Sequence, residues 1–207
     1  MGLAFREGKW YVICCILLLL IAGLLQTWLV VVPLGALIFV LYFFRDPVRQ
    51  PLKRAEAVLA PADGTVTKVS RTNCQFVGDD AWEVSIFMSP LNVHVNRSPV
   101  AGEVVESVHR PGRFLPAMNP GAPLYNEKNL ITVQGDLPVK IVQIAGIVAR
   151  RVVSWVQGGQ AVAQGEKIGM IKFSSCTQII FPGNVSPLVK VGDKVIAGCT
   201  IIGERVD

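Results

Sequence analysis

Ser175 is the second member of a serine pair inside QGEKIGMIKFSSCTQIIFP, residues 164–182. Apolar residues lead into the pair and out of it, so the hydroxyl falls at a short polar break between two buried strands. One reading is a small polar turn. The other makes Ser175 a nucleophile aimed at the carbonyl of Ser174, the residue before it. G-x-S-x-G spacing is missing around it, which argues against a hydrolase nucleophile elbow. His94 is the second reactive residue: alternation over 92–98 puts Asn92, His94, Asn96 and Ser98 on one strand face and Val93, Val95 and Arg97 on the other. An imidazole on a continuous polar face can move protons near neutral pH, or be a satisfied surface group. Asp63 in Pro61-Ala62-Asp63-Gly64 reads as an Asx-type turn residue between strands. Arg113 offers a cation to a phosphate, and Tyr125-Asn126-Glu127-Lys128-Asn129 is a solvated turn or a substrate-facing loop. His109, before Arg110-Pro111-Gly112, reads as a structural loop residue.

The elements that must hold these residues are mostly strands. From Ala55 onward, short Val/Ile-rich runs such as WEVSIFMSP, NLITVQGD and VKIVQIAG alternate with Gly, Pro, Asn and Asp, which predicts a mainly β domain over 55–207. Its tail repeats itself after roughly 33 residues: Gly159, Val162, Gly165, Ile168 and Gly169 align with Gly192, Val195, Gly198, Ile201 and Gly203. Glycine turns with aliphatics in a shared core fit the hammerhead, barrel-sandwich-like β fold of biotinyl and lipoyl carriers. Neither copy presents a convincing lysine at a hairpin tip, so the repeat is expected to be scaffold.

Residues 1–54 differ in kind. Tyr11 to Phe44 is almost unbroken apolar sequence, interrupted at Gln26-Thr27, Pro33 and Gly35. As one helix it would be about 50 Å long, too long for a ~30 Å hydrocarbon core. We therefore expect two short helices, about 11–25 and 28–44, forming a hydrophobic hairpin anchor that spans or re-enters the bilayer, followed by a basic linker. Arg6 and Lys9 before it, and Arg45, Arg49, Lys53 and Arg54 after it, place both ends on the cytoplasmic face and offer the second cluster to anionic headgroups.

The chain has 207 residues, 51% of them hydrophobic, and a formal charge of +5. No basic run is interleaved with aromatics, so nucleic acid is not an expected partner. Five cysteines without a C-x-x-C pair and only two histidines suggest neither a disulfide framework nor a metal site, and a reducing compartment fits.

Six stretches then coincide in order: FFRDPVR at 43–49, PADGTV at 61–66, FMSPLNVHVNRSPVAG at 87–102, RPGRFLPA at 110–117, NEKN at 126–129 and GMIKFSS at 169–175. Together they resemble the phosphatidylserine decarboxylases of the short bacterial and archaeal type, over almost the whole chain. The resemblance implies a proenzyme that cuts itself between Ser174 and Ser175 into chains 1–174 and 175–207. Ser175 Oγ would attack the Ser174 carbonyl, the resulting ester would undergo β-elimination, and hydrolysis would leave a pyruvoyl group in place of Ser175. That ketone is the implied cofactor, replacing pyridoxal phosphate and any metal, and it accepts the electron pair released as CO2 leaves a serine-bearing phospholipid. The implied reaction converts phosphatidylserine or archaetidylserine to the corresponding ethanolamine lipid.

By the same resemblance His94 and Asp63 are catalytic, with Asp63 orienting His94 or acting as base, and Asn96, Arg113, Asn126 and Glu127 meet the substrate. Partners are the phospholipid, the membrane, the two products of cleavage and a further copy of the chain. Three departures stand out. Ser174-Ser175 replaces Gly-Ser, Cys176-Thr177-Gln178 replaces Arg-Val-Asp, and Arg97 stands where longer relatives carry a second histidine. A lipid-binding relative that is never cut is the alternative expectation.

Overall fold

The structure, a computed structural model, describes residues 2–25, 28–116, 119, 121–146, 151–172 and 175–206. Ser174 lies outside them. The chain forms two compact units, Met1–Val48 and Arg49–Asp207, whereas the sequence suggested a boundary after residue 54.

In the first unit α1 spans Leu3–Leu24, a 3-10 turn follows at Trp28–Val30, and α2 spans Val31–Phe43. α1 starts well before Tyr11 because Arg6, Glu7 and Lys9 are good helix formers whose charges stay at its outer end. At ~1.5 Å per residue its 22 residues reach about 33 Å, enough to cross a hydrocarbon core, while the 13 residues of α2 reach only about 20 Å. The first helix, expected over about 11–25, is corrected to a start at Leu3, while the 3-10 turn and α2 together cover Trp28–Phe43 where about 28–44 was expected. The two helices pack antiparallel: Gly8 lets the Phe44 ring approach so closely that a Cβ would lie 2.6 Å from it, and Tyr11 stacks on Phe44 at 5.8 Å. Leu17, Leu18, Leu20, Leu24, Val31, Val32 and Ile38 remain exposed.

The second unit is mainly β, as expected. Its strands are β1 Ala57–Leu59, β2 Gly64–Cys74, β3 Gly78–Met88, β4 Val95–Arg97, β5 Gly102–Arg110, β6 Lys128–Gln134, β7 Val139–Ala145, β8 Val152–Ser154, β9 Ala161–Val162, β10 Lys167–Ile171, β11 Ser175–Phe181, β12 Val185–Pro187, β13 Lys194–Val195 and β14 Ile201–Arg205; a single turn of helix, α3, spans Ala122–Tyr125. A curled eight-stranded sheet runs β13-β2-β3-β11-β7-β6-β5-β9, and two three-stranded sheets, β1-β14-β12 and β4-β10-β8, accompany it. The inner faces share one core that includes Val58, Ile86, Met88, Ile131, Ile141, Ile168, Ile179, Phe181 and Ile202.

The large sheet reads alike from its centre in both directions. β11-β3-β2-β13 mirrors β7-β6-β5-β9, and the two small sheets correspond strand for strand. The domain is thus two seven-stranded halves, one built from β1–β3 with β11–β14, the other from β4–β10 inserted between β3 and β11. The tail repeat is the visible trace of this duplication. Gly159 and Gly192 take φ +84° and +98°, and Gly165 and Gly198 take +79° and +72°, so each half turns into its short edge strand, and then out of it, through a left-handed glycine.

Candidate functional site

β11 lies at the centre of the large sheet. Ser175 opens it, opposite Met88 of β3 on one side and Ala145 of β7 on the other. Its side chain is fully buried, and its hydroxyl donates to Met88 Sδ at 3.3 Å. Thr177, two residues on and on the same face, donates to the same sulfur at 3.4 Å. Ile179 and Phe181 continue that face into the core. Cys176 and Gln178 point the other way, where Gln178 Nε2 donates to Glu83 and Ser85 at 3.2 and 3.3 Å.

Behind Thr177 a polar row crosses the sheet. Thr177 pairs with Gln143 on β7 and Gln143 with Asn129 on β6, all three being buried. Asn96 on β4 closes over them: its Nδ2 donates to Thr177 Oγ1 at 3.2 Å and to the Pro61 carbonyl at 3.3 Å, and its Oδ1 accepts from Gln143 Nε2 at 2.8 Å. Asn96 therefore spends its amide inside the protein. Sequence reasoning missed Gln143 and Thr177; the available signal was a glutamine in the middle of the apolar strand VKIVQIA.

His94 immediately precedes β4 and is buried, as is all of 93–100, so both faces of this segment are covered and it carries no solvated polar face. Its Nδ1 lies 3.0 Å from the Asn92 carbonyl. A carbonyl only accepts, so Nδ1 carries hydrogen and Nε2 is the basic nitrogen of the neutral ring. The His94 carbonyl accepts from Ile171 N at 3.2 Å, fixing His94 beside the strand that leads to Ser174.

Asp63 is held elsewhere. Arg49 forks onto its two oxygens at 2.6 and 2.7 Å, and the Ala197 N–H donates to Oδ1 at 2.8 Å. Arg49, which sequence reasoning gave to lipid headgroups, instead also donates to the Ala197 carbonyl at 2.7 Å and lashes the turn before β2 to the turn after β13.

The remaining expected residues gather at the β7 end of the site. Asn126 is buried and fully used on backbone, accepting from Leu115 N at 2.8 Å and donating to the carbonyls of Leu115 at 2.8 Å and Ala145 at 2.7 Å. It thereby ties the loop after β5 to the residue opposite Ser175. Glu127 Oε1 accepts from Val152 N at 3.3 Å and lies 3.9 Å from His109 Nε2. Arg113 is exposed, its guanidinium 5.8 Å from the Tyr125 ring centre. Lys128 Nζ donates to the carbonyls of Pro123 at 2.6 Å and Leu124 at 3.1 Å, capping α3; desolvation, then the nearby Arg110, lowers its pKa.

On the outer face of the sheet, a groove of about 950 Å³ is lined by Lys68, Glu83, Ser85, Phe87, Cys176 and Gln178 with Leu124 and Val191 at its edges. Burial pushes the Cys176 thiol up to about 12, which makes it inert. Among the described residues, no three His, Cys, Asp or Glu side chains converge as a metal site requires.

A family model described as phosphatidylserine decarboxylase matches residues 36–203. The chain belongs to the phosphatidylserine decarboxylase family. A phosphatidylserine decarboxylase proenzyme from Carboxydothermus hydrogenoformans is 41% identical over 202 residues, covering 96% of this chain and 95% of its own length. One from Pelobacter propionicus is 46% identical over 168 residues, covering 80% and 76%, and one from Symbiobacterium thermophilum is 42% identical over 204 residues, covering 96% and 94%. The fold described above is therefore that of a decarboxylase. Within the phosphatidylserine decarboxylase frame, the departures at Cys176 and Gln178 fall on the groove face, away from Ser175, whereas Thr177 shares its face.

Proposed function

We propose that this protein is a self-processing, membrane-anchored enzyme that removes CO2 from the serine headgroup of a phospholipid. Beyond family membership, the observation that carries the reading is Ser175 itself. It is a fully buried hydroxyl at the first residue of the central strand, its backbone clamped between Met88 and Ala145.

In processing, Ser175 Oγ attacks the carbonyl of residue 174 and the hydroxyl proton leaves to a base. His94 is the candidate for that base: Nε2 is the basic nitrogen of its neutral ring, and its carbonyl is bonded to Ile171 at the end of β10, three residues ahead of the proposed cut. The peptide nitrogen of Ser175 departs as the ester forms, and elimination followed by hydrolysis yields the ketone. The surroundings suit a pyruvoyl group. Residue 175 is enclosed, and the side chains its hydroxyl meets or adjoins, Met88 and Thr177, are uncharged. Once formed, that group supplies the electron sink for decarboxylation.

The residues around it have separable roles. Arg113, exposed on the loop that Asn126 secures, receives the lipid phosphate. Asp63 with Arg49 holds the turn before β2 against the turn after β13, because a doubly hydrogen-bonded, largely buried ion pair fixes both turns it joins. α1, long and apolar enough to cross a membrane, holds the protein at the bilayer where the substrate lies, with Arg6, Lys9 and Arg45 on the cytoplasmic side.

The test is the intact mass under denaturing conditions. The expected result is two pieces, the smaller beginning at residue 175 and trappable by an amine with cyanoborohydride, and a Ser175→Ala variant that remains whole. A wild-type chain that stays full-length, with an ordinary serine at 175, would replace this reading with that of an uncut lipid-binding relative.

A further inference from the structure

The hydrogen bonds behind Ser175 run in one direction. Asn129 Nδ2 donates to Gln143 Oε1 at 3.2 Å, Gln143 Nε2 to Asn96 Oδ1 at 2.8 Å, and Asn96 Nδ2 to Thr177 Oγ1 at 3.2 Å. Thr177, having accepted, sends its own hydrogen to Met88 Sδ at 3.4 Å, the atom that also takes the Ser175 hydroxyl at 3.3 Å. Two hydroxyls therefore share one thioether, a weak acceptor.

Gln143 sets the direction. Its amide nitrogen holds Asn96 Oδ1, so Asn96 has only its NH2 to offer Thr177. Without that donor only the longer bond from Asn96 Nδ2 to the Pro61 carbonyl, 3.3 Å, opposes reversal of the amide; once it reverses, its oxygen accepts from Thr177 and the Thr177 hydrogen leaves Met88. Gly169 leaves room for the row, because a Cβ there would meet the Val153 carbonyl and would also sit 2.8 Å from Gln143 Nε2. Every member of the row from Asn129 to Ser175 is at most 3% exposed, so water does not substitute for a missing partner.

We propose that Gln143 is a positioning residue: acting through Asn96 and Thr177, it sets the hydrogen bond of the Ser175 hydroxyl and so the rate at which that hydroxyl attacks residue 174. The proposal rests on Ser175 being the reacting group, and its test separates the two ideas.

Full-length Gln143→Leu, Gln143→Glu, Thr177→Val and the Gln143→Leu/Thr177→Val double variant are made by cell-free synthesis. Cleavage is followed by denaturing mass spectrometry from pH 5 to pH 9, and the Met88 methyl is observed by NMR of methyl-labelled methionine, assigned with Met88→Leu. Gln143→Leu is expected to cut at least about tenfold more slowly at every pH and to shift the Met88 methyl resonance. In Gln143→Glu the protonated carboxyl donates to Asn96 as the amide does. Burial raises the pKa of that carboxyl, so cutting is near normal at low pH and fails as pH rises through the raised value. In the Thr177→Val background Gln143→Leu adds nothing to either readout, since the path runs through that hydroxyl.

The proposal is overturned if folded Gln143→Leu leaves the Met88 resonance in place, or if its losses persist undiminished in Thr177→Val. A wild-type chain that is never cut would sink the role of Ser175, and the Met88 resonance alone would then decide the role of Gln143.

Discussion

At the scale of single residues, the Arg49–Asp63 pair has the largest foreseeable effect on stability. Their side chains are 9% and 13% exposed. Arg49→Met strands a nearly buried carboxylate, and breaking such a pair costs about 3–5 kcal/mol. Urea unfolding of the β unit is expected to show that loss, and Arg49→Met/Asp63→Leu to recover part of it because neither charge is then left behind. Cys176 supplies a pH signature. Burial raises its folded thiol from the ordinary 9.0 to about 12, so the folded state prefers the neutral form. The matching stability is present below pH 9 and is lost as pH rises toward 12. Peptide mapping after alkylation of the folded protein between pH 7 and pH 9 is expected to find Cys176 unlabelled, and rapid labelling there would contradict its burial.

Residues also show what the sequence could and could not disclose. Ser175 stood out as a polar group inside an apolar run, and His94 and Asn96 as alternate residues of a segment read as polar on one face, which the structure buries on both. Asn96 was read as meeting substrate, yet its amide is consumed internally, and spacing along a strand cannot reveal a partner on another sheet. Arg49 was misread for a similar reason. Its carboxylate lies 14 residues ahead, across a turn whose path only the fold determines.

At the scale of elements, glycine turns were the most legible feature and give a sharp test. Gly165 and Gly198 occupy equivalent left-handed turns, and alanine in either is expected to cost about 1 kcal/mol or more. Gly165→Ala should cost the more, since its Cβ would run into the rigid Pro51 ring, whereas at Gly198 it would meet the flexible Arg97 side chain, Cδ at 2.9 Å; comparing the two melting temperatures checks this. Gly169→Ala is different in kind, because its backbone is ordinary and its Cβ would meet the Val153 carbonyl first and then Gln143 Nε2. It is expected to slow cutting beyond what its loss of stability explains. The strands themselves followed from Val/Ile periodicity, and the start of α1 did not, since three charged residues at its outer end looked like a flank rather than a first turn.

At the scale of the whole molecule, the tail repeat pointed to duplicated scaffold. The insertion of one half inside the other left no mark in composition, because equivalent strands share shape and hardly any residues. That insertion bears on maturation. The break proposed before Ser175 falls on the seam where the inserted half ends and the interrupted half resumes. Residues 175–206 carry β11 to β14, and β11 is bonded along one edge to β3 and along the other to β7. The smaller piece is thus expected to stay with the larger through native size-exclusion chromatography.

Joined ends make refolding a first-order process; severed ones make it second-order. An uncut Ser175→Ala chain should regain its structure equally well at any dilution, while the cut protein should recover less as it is diluted, each piece having to find the other. On the proposed cleavage, maturation would work as a ratchet, in which assembly comes before scission and cannot readily be repeated after it.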